Sequence, residues 1–180
     1  MSLNTILESL RLVFKPLNSS YCNDSYLQWL NDKEVTRYLE IFEPYSKEQL
    51  KDYLEMVDKN ERLLFWAIHS KETDLHIGNI KIDPINYYHR YGEYGIMMGD
   101  KGQWGKGYAA EASMAIIDYC FKEMNLRKIN LGVVEDNEGA VKLYQKLGFK
   151  TEGVYRKHGL YDGRYCNLLR MAIFNPFLID

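Results

Sequence analysis

Two segments in the second half of the chain repeat small or apolar residues at helical spacing, and most other apolar residues gather in short strand-like runs. Ala110, Ser113, Ile117, Cys120 and Met124 make one stripe, with Glu111, Asp118 and Lys122 facing away, which predicts a long helix buried along one side. Ala140, Leu143, Tyr144 and Leu147 recur at i, i+3, i+4 and i+7, predicting a shorter helix that Gly148 can close. Nearer the N-terminus, Asp24–Asn31 and Lys47–Lys59 read as polar-rich helices, the second with Ser46 as its N-cap.

The strand-like runs begin with Leu10–Phe14, closed by Pro16, which cannot donate to a ladder. Leu63–Ile68 and His76–Ile82 flank the polar turn Ser70–Asp74 and predict a hairpin. Glu93–Met98 follows a tyrosine-rich connection and ends at the turn-forming cluster Gly99–Gly102. Ile129–Val134 is rich in β-branched residues, and the last two strands, Phe149–Arg156 and Tyr165–Phe174, flank Tyr161-Asp162-Gly163. The central order strand, helix, strand, helix implies a β-α-β unit with neighbouring parallel strands. No repeat, low-complexity tract or Pro/Gly/Ser linker interrupts the pattern, so one mixed α/β domain over residues 1–180 is expected.

Charge narrows the partners. Lys and Arg number 23 against 25 for Asp and Glu, a formal net charge of -2, which argues against a nucleic-acid partner because phosphate neutralisation needs a basic surplus. No apolar stretch approaches the roughly 20 residues of a bilayer-spanning helix, and no basic region precedes a long apolar run at the N-terminus. A cytoplasmic protein without a membrane partner is expected. Cys22, Cys120 and Cys166 never form a Cys-x-x-Cys pair, so they read as buried or half-buried thiols, with neither a disulfide framework nor a metal site. Tyrosine is the excess in the composition, at 15 residues of 180.

The most informative segment, Gln103-Trp104-Gly105-Lys106-Gly107-Tyr108-Ala109-Ala110-Glu111-Ala112, joins the end of a strand to the start of a helix. Closely spaced glycines let backbone N–H groups turn toward one centre, and the helix N-terminus adds unpaired donors and about half a positive charge, an arrangement that suits a pyrophosphate. Lys106 offers a further point charge. The Gly-x-x-x-x-Gly-Lys-Ser/Thr loop of nucleoside-triphosphate sites is absent. In the dinucleotide pattern Gly-x-Gly-x-x-Gly, Ala110 takes the third position as an allowed variant, but the mid-chain location after antiparallel-looking strands speaks against that fold. A tight structural connection is the plain alternative.

A second segment, Asn137-Glu138-Gly139-Ala140-Val141-Lys142-Leu143-Tyr144-Gln145-Lys146-Leu147-Gly148-Phe149, lies further along. Together the two resemble the GNAT acyl-CoA N-acetyltransferases, whose signatures are Gln/Arg-x-x-Gly-x-Gly/Ala and Asn-x-x-Ala-x-x-x-Tyr-x-x-x-Gly-Phe, and the resemblance runs from Leu10 to Phe174. Trp104 stands for the first Gln/Arg and Ala109 for the last glycine. The form Trp-Gly-Lys-Gly-Tyr-Ala-x-Glu-Ala resembles the branch holding ribosomal-protein N-terminal acetyltransferases and many amino-sugar acetyltransferases. The resemblance implies a mixed, twisted sheet of about seven strands flanked by about four helices, with two parallel central strands splayed to admit CoA.

It also implies roles. Acetyl-CoA is the expected co-substrate, its pyrophosphate on the backbone of Trp104, Gly105, Lys106, Gly107, Tyr108 and Ala109, and its pantetheine arm along the free edge at Ile96, Met97 and Met98. Asn137 would bind the pantetheine or fix the end of the second strand, and as a residue type it equally suits a helix N-cap. Tyr144 matches the general acid that protonates the departing thiolate, a task its phenol, ordinarily near pKa ~10, can perform at neutral pH. Its place on the apolar stripe suits a core residue as well. Glu93 is the candidate base, with His76 and His89 as backups. No Cys or Ser sits in a nucleophile motif, which favours direct attack of the amine on the thioester.

For the acceptor, a less specific likeness points to the amine of a nucleotide-linked amino sugar. Tyr38, Tyr87, Tyr88, Tyr91 and Tyr94 are candidates to stack on its rings and Arg37 or Arg90 to hold its phosphate. A protein N-terminal α-amine and a non-catalytic acyl-CoA sensor are the alternatives. The expected partners are therefore a small-molecule amine and, because edge strands can pair between subunits, a second copy of the chain.

Overall fold

The computed structural model describes residues 5–60 and 62–178. Its centre is an eight-stranded mixed sheet in the order β1-β2-β3-β4-β5-β6-β8-β7. The strands are β1 (Leu7–Glu8), β2 (Leu12–Pro16), β3 (Leu64–Ser70), β4 (His76–Asn86), β5 (Tyr91–Met98), β6 (Lys128–Val134), β7 (Lys150–Tyr161) and β8 (Arg164–Phe174). The helices are α1 (Asp24–Asn31), α2 (Lys47–Lys59), α3 (Tyr108–Lys122) and α4 (Glu138–Lys146). β1 exceeds the expected set, and the first predicted strand lies two residues too early: Leu10 is exposed in the turn between β1 and β2, and β2 runs to Pro16. β7 extends to Tyr161, beyond the predicted Arg156, because pairing with β8 carries a segment whose side chains are mostly exposed.

Both polar-rich helices start on side-chain caps. Asn23 accepts from the Tyr26 N–H, and Ser46 and Gln49 form a reciprocal capping box at α2. Those two helices cover one face of the sheet around Tyr26, Leu30, Leu50, Leu54 and Ala67. The larger core fills the opposite face, where Trp66, Ile80, Ile82 and Tyr94 meet Ala112, Ile116, Ile117 and Phe121 of α3. Along a strand successive side chains point to opposite faces, and in β5 this decides much of the chemistry. Tyr94 turns toward α3, whereas Met97 turns toward α1 and α2.

All neighbouring strands are antiparallel except β5 and β6. Their parallel register covers Tyr91↔Lys128, Gly92↔Ile129 and Glu93↔Asn130 and goes no further, although β5 continues to Met98 and β6 to Val134. Past Glu93 the two strands diverge. The free edge of β5 follows from alternation: Gly99 N–H donates to the Ile77 carbonyl on the β4 side, so the main-chain groups of Met98 and Ile96 face the opening. This wedge opens toward the connection from β5 to α3.

Candidate active site

The connection after β5 begins with a short 3-10 turn, Lys101–Gln103, and reaches α3 through Gly105 and Gly107, with φ of +74 and +80. Those angles belong to the left-handed region that glycine tolerates. A Cβ added at Gly105 would meet nothing within 4 Å, so the space beside that glycine is open. Gly107 is the N-cap of α3 and supplies no side-chain hydrogen bond. The first amides of the helix therefore remain available, as an anion at that end requires. Lys106 Nζ is held by Gln103 Oε1 at 3.0 Å.

Trp104 has a more definite task than its place in the signature suggests. Its indole Nε1 donates to the Met98 carbonyl at 2.8 Å, pinning the loop to the end of β5 and occupying one acceptor on the free edge. Trp29 of α1 packs onto Gly99 so closely that any side chain there would overlap its ring. Both tryptophans thus frame the mouth of the wedge.

Tyr144 projects from α4 and is buried, edge-on to Tyr94 with centroids 5.8 Å apart and 5.8 Å from Phe149. Burial raises its phenol to about 12. Among the described residues its hydroxyl has no hydrogen-bond partner, whereas the Tyr94 hydroxyl is engaged 2.6 Å from Ser113 Oγ, which donates to the Ala109 carbonyl at 2.6 Å. Asn137 caps α4, its side-chain oxygen accepting from Ala140 N–H at 3.3 Å. Ala140, Leu143 and Leu147 pack against the core as partly buried residues, and Gly148, at φ +100, closes α4 as its position predicts.

Several sequence expectations need correction. Tyr94 is buried on the α3 face and does not line an acceptor cleft; it ties β5 to Ser113 in the second turn of α3. Tyr87, Tyr88, Arg90 and Tyr91 lie at the opposite end of β5 from the wedge, beside the Tyr91↔Lys128 pair, and so cannot form one site with the glycine loop. His89 shares that remote position. Glu111, expected to face away, accepts from Ser9 and Arg11 and has only 16% of its side chain exposed. Burial alone would raise this carboxyl, yet the Ser9 hydroxyl, the Arg11 N–H and the Arg11 guanidinium together hold it below its usual value.

Glu93 does stand at the last paired position of β5 and β6, where the wedge begins, but its carboxylate is already held. Arg170 donates through Nη1 to Oε1 at 2.7 Å and through Nη2 to Oε2 at 2.8 Å, and Asn130 Nδ2 donates to Oε2 at 2.9 Å. The expected free base is thus an anchored one, with three hydrogen bonds already accepted by its roughly four lone-pair sites. This bidentate pair spans β5 and β8, and sequence gave no sign of it because the partners lie far apart in the chain.

His76 fails as a base for a different reason. It lies among Tyr21, Tyr26 and Trp29, stacked on His69 with centroids 5.5 Å apart, and its Nδ1 is buried without a hydrogen-bond partner. Burial depresses it to about 4, with the neighbouring His69 opposing its charge as well. A folded-state value below the unfolded 6.5 favours the neutral ring, so this stabilisation is complete above the unfolded value and is lost as pH falls through the folded one. Urea midpoints should drop between those limits, reflecting a loss of about 3 kcal/mol of unfolding free energy. His76→Leu should flatten that part of the curve.

Arg37 and Tyr38 are brought to the far side of the wedge, on the segment between α1 and α2. Arg37 Nε pairs with Asp162 Oδ2 at 2.9 Å, and Tyr38 Oη donates to the Asp136 carbonyl at 3.3 Å beside the Tyr161 ring. The segment thereby contacts the tip of the β7–β8 hairpin and the end of β6. Carboxylates of Asp136 and Asp162 join it there, with Arg164 Nη2 on Asp136 Oδ2 at 3.2 Å and Glu40 close enough to raise the Tyr161 phenol after burial has done so. Lys101 reaches back from the loop to Asp32 at 2.7 Å and Glu34 at 2.9 Å. Among the described residues no group of His, Cys, Asp and Glu is placed to hold a metal ion, and no helix is long and apolar enough to cross a membrane.

A parallel strand pair parted beside a glycine loop at a helix N-terminus defines an acyl-CoA-dependent transferase, and residues 11–150 match the family model for the acetyltransferase (GNAT) domain. The chain belongs to the GNAT acetyltransferases, enzymes that use acetyl-CoA. It is 31% identical over 153 residues to the uncharacterized N-acetyltransferase p20 of Bacillus licheniformis, covering 83% of this chain and 85% of that protein. It is 35% identical over 145 residues to a spermidine N(1)-acetyltransferase of Vibrio cholerae, covering 79% and 82%. The crystal structure of the Vibrio cholerae spermidine N-acetyltransferase in complex with CoA and spermine superposes with a TM-score of 0.84 at 27% identity, over 93% of this chain and 97% of that one. These relatives do not single out the ribosomal-protein or amino-sugar branch.

Proposed function

We propose that this chain transfers the acetyl group of acetyl-CoA to a primary amine of an aliphatic polyamine by direct attack. The observation that carries the acceptor class is the likeness to spermidine N-acetyltransferases over most of both chains. Charge at the cover of the wedge agrees with it. Glu40, Glu135, Asp136 and Asp162 gather there with Arg37 and Arg164, leaving a carboxylate surplus that complements a polycation. The amino-sugar reading loses its support, because Tyr87, Tyr88 and Tyr91 stand elsewhere and Arg37 is already paired with Asp162.

In this reading acetyl-CoA supplies the activated thioester carbonyl. The amides from Gly105 to Ala109 hold its pyrophosphate, and the free edge at Ile96 and Met98 holds the pantetheine arm. Asn137 fixes the end of β6 opposite. The neutral amine attacks the carbonyl, the C–N bond forms as the C–S bond breaks, and Tyr144 gives its proton to the departing thiolate. The ammonium proton leaves through water, while Glu93, held by Arg170 and Asn130, stays fixed where the wedge begins. Several copies assemble in this reading: β7 is a free edge strand with Val154, Tyr155 and Leu160 exposed, and a Vibrio cholerae relative with a TM-score of 0.79 is described as dodecameric.

Release of free CoA thiol in the presence of acetyl-CoA tests the acceptor. Spermidine or spermine should give kcat/KM at least about 100-fold above a nucleotide amino sugar or a short peptide, as a site built around charged amines discriminates strongly. Turnover confined to the sugar or the peptide would reverse the assignment.

A further inference from the structure

Arg11 stands at the turn into β2, outside the glycine loop, yet its side chain is devoted to that loop. Nη1 donates to the Lys106 carbonyl at 3.0 Å and Nε to Glu111 Oε2 at 2.6 Å, while the guanidinium carbon lies 4.4 Å from the centre of the Tyr108 ring. The Arg11 main-chain N–H and the Ser9 hydroxyl both donate to Glu111 Oε1, at 2.6 and 2.7 Å. In a trans peptide the carbonyl and the following N–H point in opposite directions. A Lys106 carbonyl drawn toward Arg11 therefore turns the Gly107 N–H away from it, the orientation an anion in the loop needs.

Glu111 adds an electrostatic constraint at the same helix end. It is an acidic residue in the first turn of α3 with most of its side chain covered. Left alone, that charge would repel a phosphate at the same helix end. Arg11 compensates it and adds a cation that, at 43% side-chain exposure, retains access to solvent.

We propose that Arg11 is a positioning residue for the CoA pyrophosphate, setting the Lys106–Gly107 peptide and cancelling the Glu111 charge; this rests on the seating of CoA at Trp104–Ala109 described above. Titration of tryptophan fluorescence with CoA and with S-acetylpantetheine, which lacks the pyrophosphate, separates the possibilities. Arg11→Ala should bind CoA about 10-fold more weakly, as expected for losing a charge-assisted contact network, and bind S-acetylpantetheine as the parent does. Arg11→Lys should recover part of the loss, and adding Glu111→Gln to Arg11→Ala should recover part as well. Equal weakening for both ligands, or unchanged CoA affinity, overturns the proposal. Gly105→Val, strained at its positive φ, distinguishes the two levels: if it also leaves CoA binding unchanged, the seat itself is misplaced. Arg11→Met, which keeps an aliphatic cover on Tyr108, replaces the alanine variant should that one fail to fold.

Discussion

Tyr144→Phe should lower turnover by about 10²–10⁴-fold, the range typical of losing a positioned general acid, while CoA binds as before. The ring stays in its pocket between Tyr94 and Phe149 because only an oxygen is removed, and that oxygen makes no protein hydrogen bond among the described residues whose loss would disturb the core. Stability should therefore hold while the rate falls. Burial that lifts the phenol to about 12 keeps the proton on Tyr144 throughout the neutral and mildly alkaline range. The sign follows directly: an acid must be protonated to act, so the parent enzyme should lose no activity through this group up to roughly pH 10. Thermal midpoints, CoA titration and a pH–rate profile measured on both proteins check all three statements. A phenylalanine variant with undiminished turnover would leave Tyr144 as a core residue only.

Gly78→Ala should be the most damaging small substitution in the sheet. Gly78 lies opposite Met98 in the β4–β5 ladder, and a methyl group there drives into the main-chain oxygen of Met97 while standing 3.1 Å from Met98 Cα. Backbone cannot rotate away as a side-chain tip can, so the strands must part. Overpacking of this kind costs on the order of 1–3 kcal/mol, which for a chain of this length lowers the thermal midpoint by about 2–12 °C. The displaced residues also carry the free edge proposed for pantetheine, so CoA affinity should weaken together with stability. Gly153→Ala is the control, because a Cβ at that half-buried β7 position meets nothing within 4 Å. Equal behaviour of the two variants would show that the β4–β5 spacing tolerates a methyl group.

Most of the fold can be read from local pattern. α1 and α2 begin and end where caps and periodicity place them, and α3 and α4 follow from their stripes, because a helix is specified by residues within one or two turns. Strand ends are read less well. β2 is displaced from its predicted start and β7 outruns its predicted end, since pairing partners far along the chain set their limits. The long tyrosine-rich connection shows how composition misleads: Tyr87, Tyr88 and Tyr91 cluster in sequence with Tyr94, yet strand direction and alternation send them to another end or another face of the sheet.

By itself the sequence determined the glycine loop, the two signature segments and hence the GNAT family and its acyl donor, because each depends on a short contiguous run of residues whose backbone or side chains act together. Only the tertiary structure decided which charges are free. It placed Arg170 on Glu93, Arg11 on Glu111 and Asp162 on Arg37, pairs whose members meet through sheet order and strand crossing. An electrostatic site is a sum over neighbours in space, and no reading of neighbours along the chain supplies that sum.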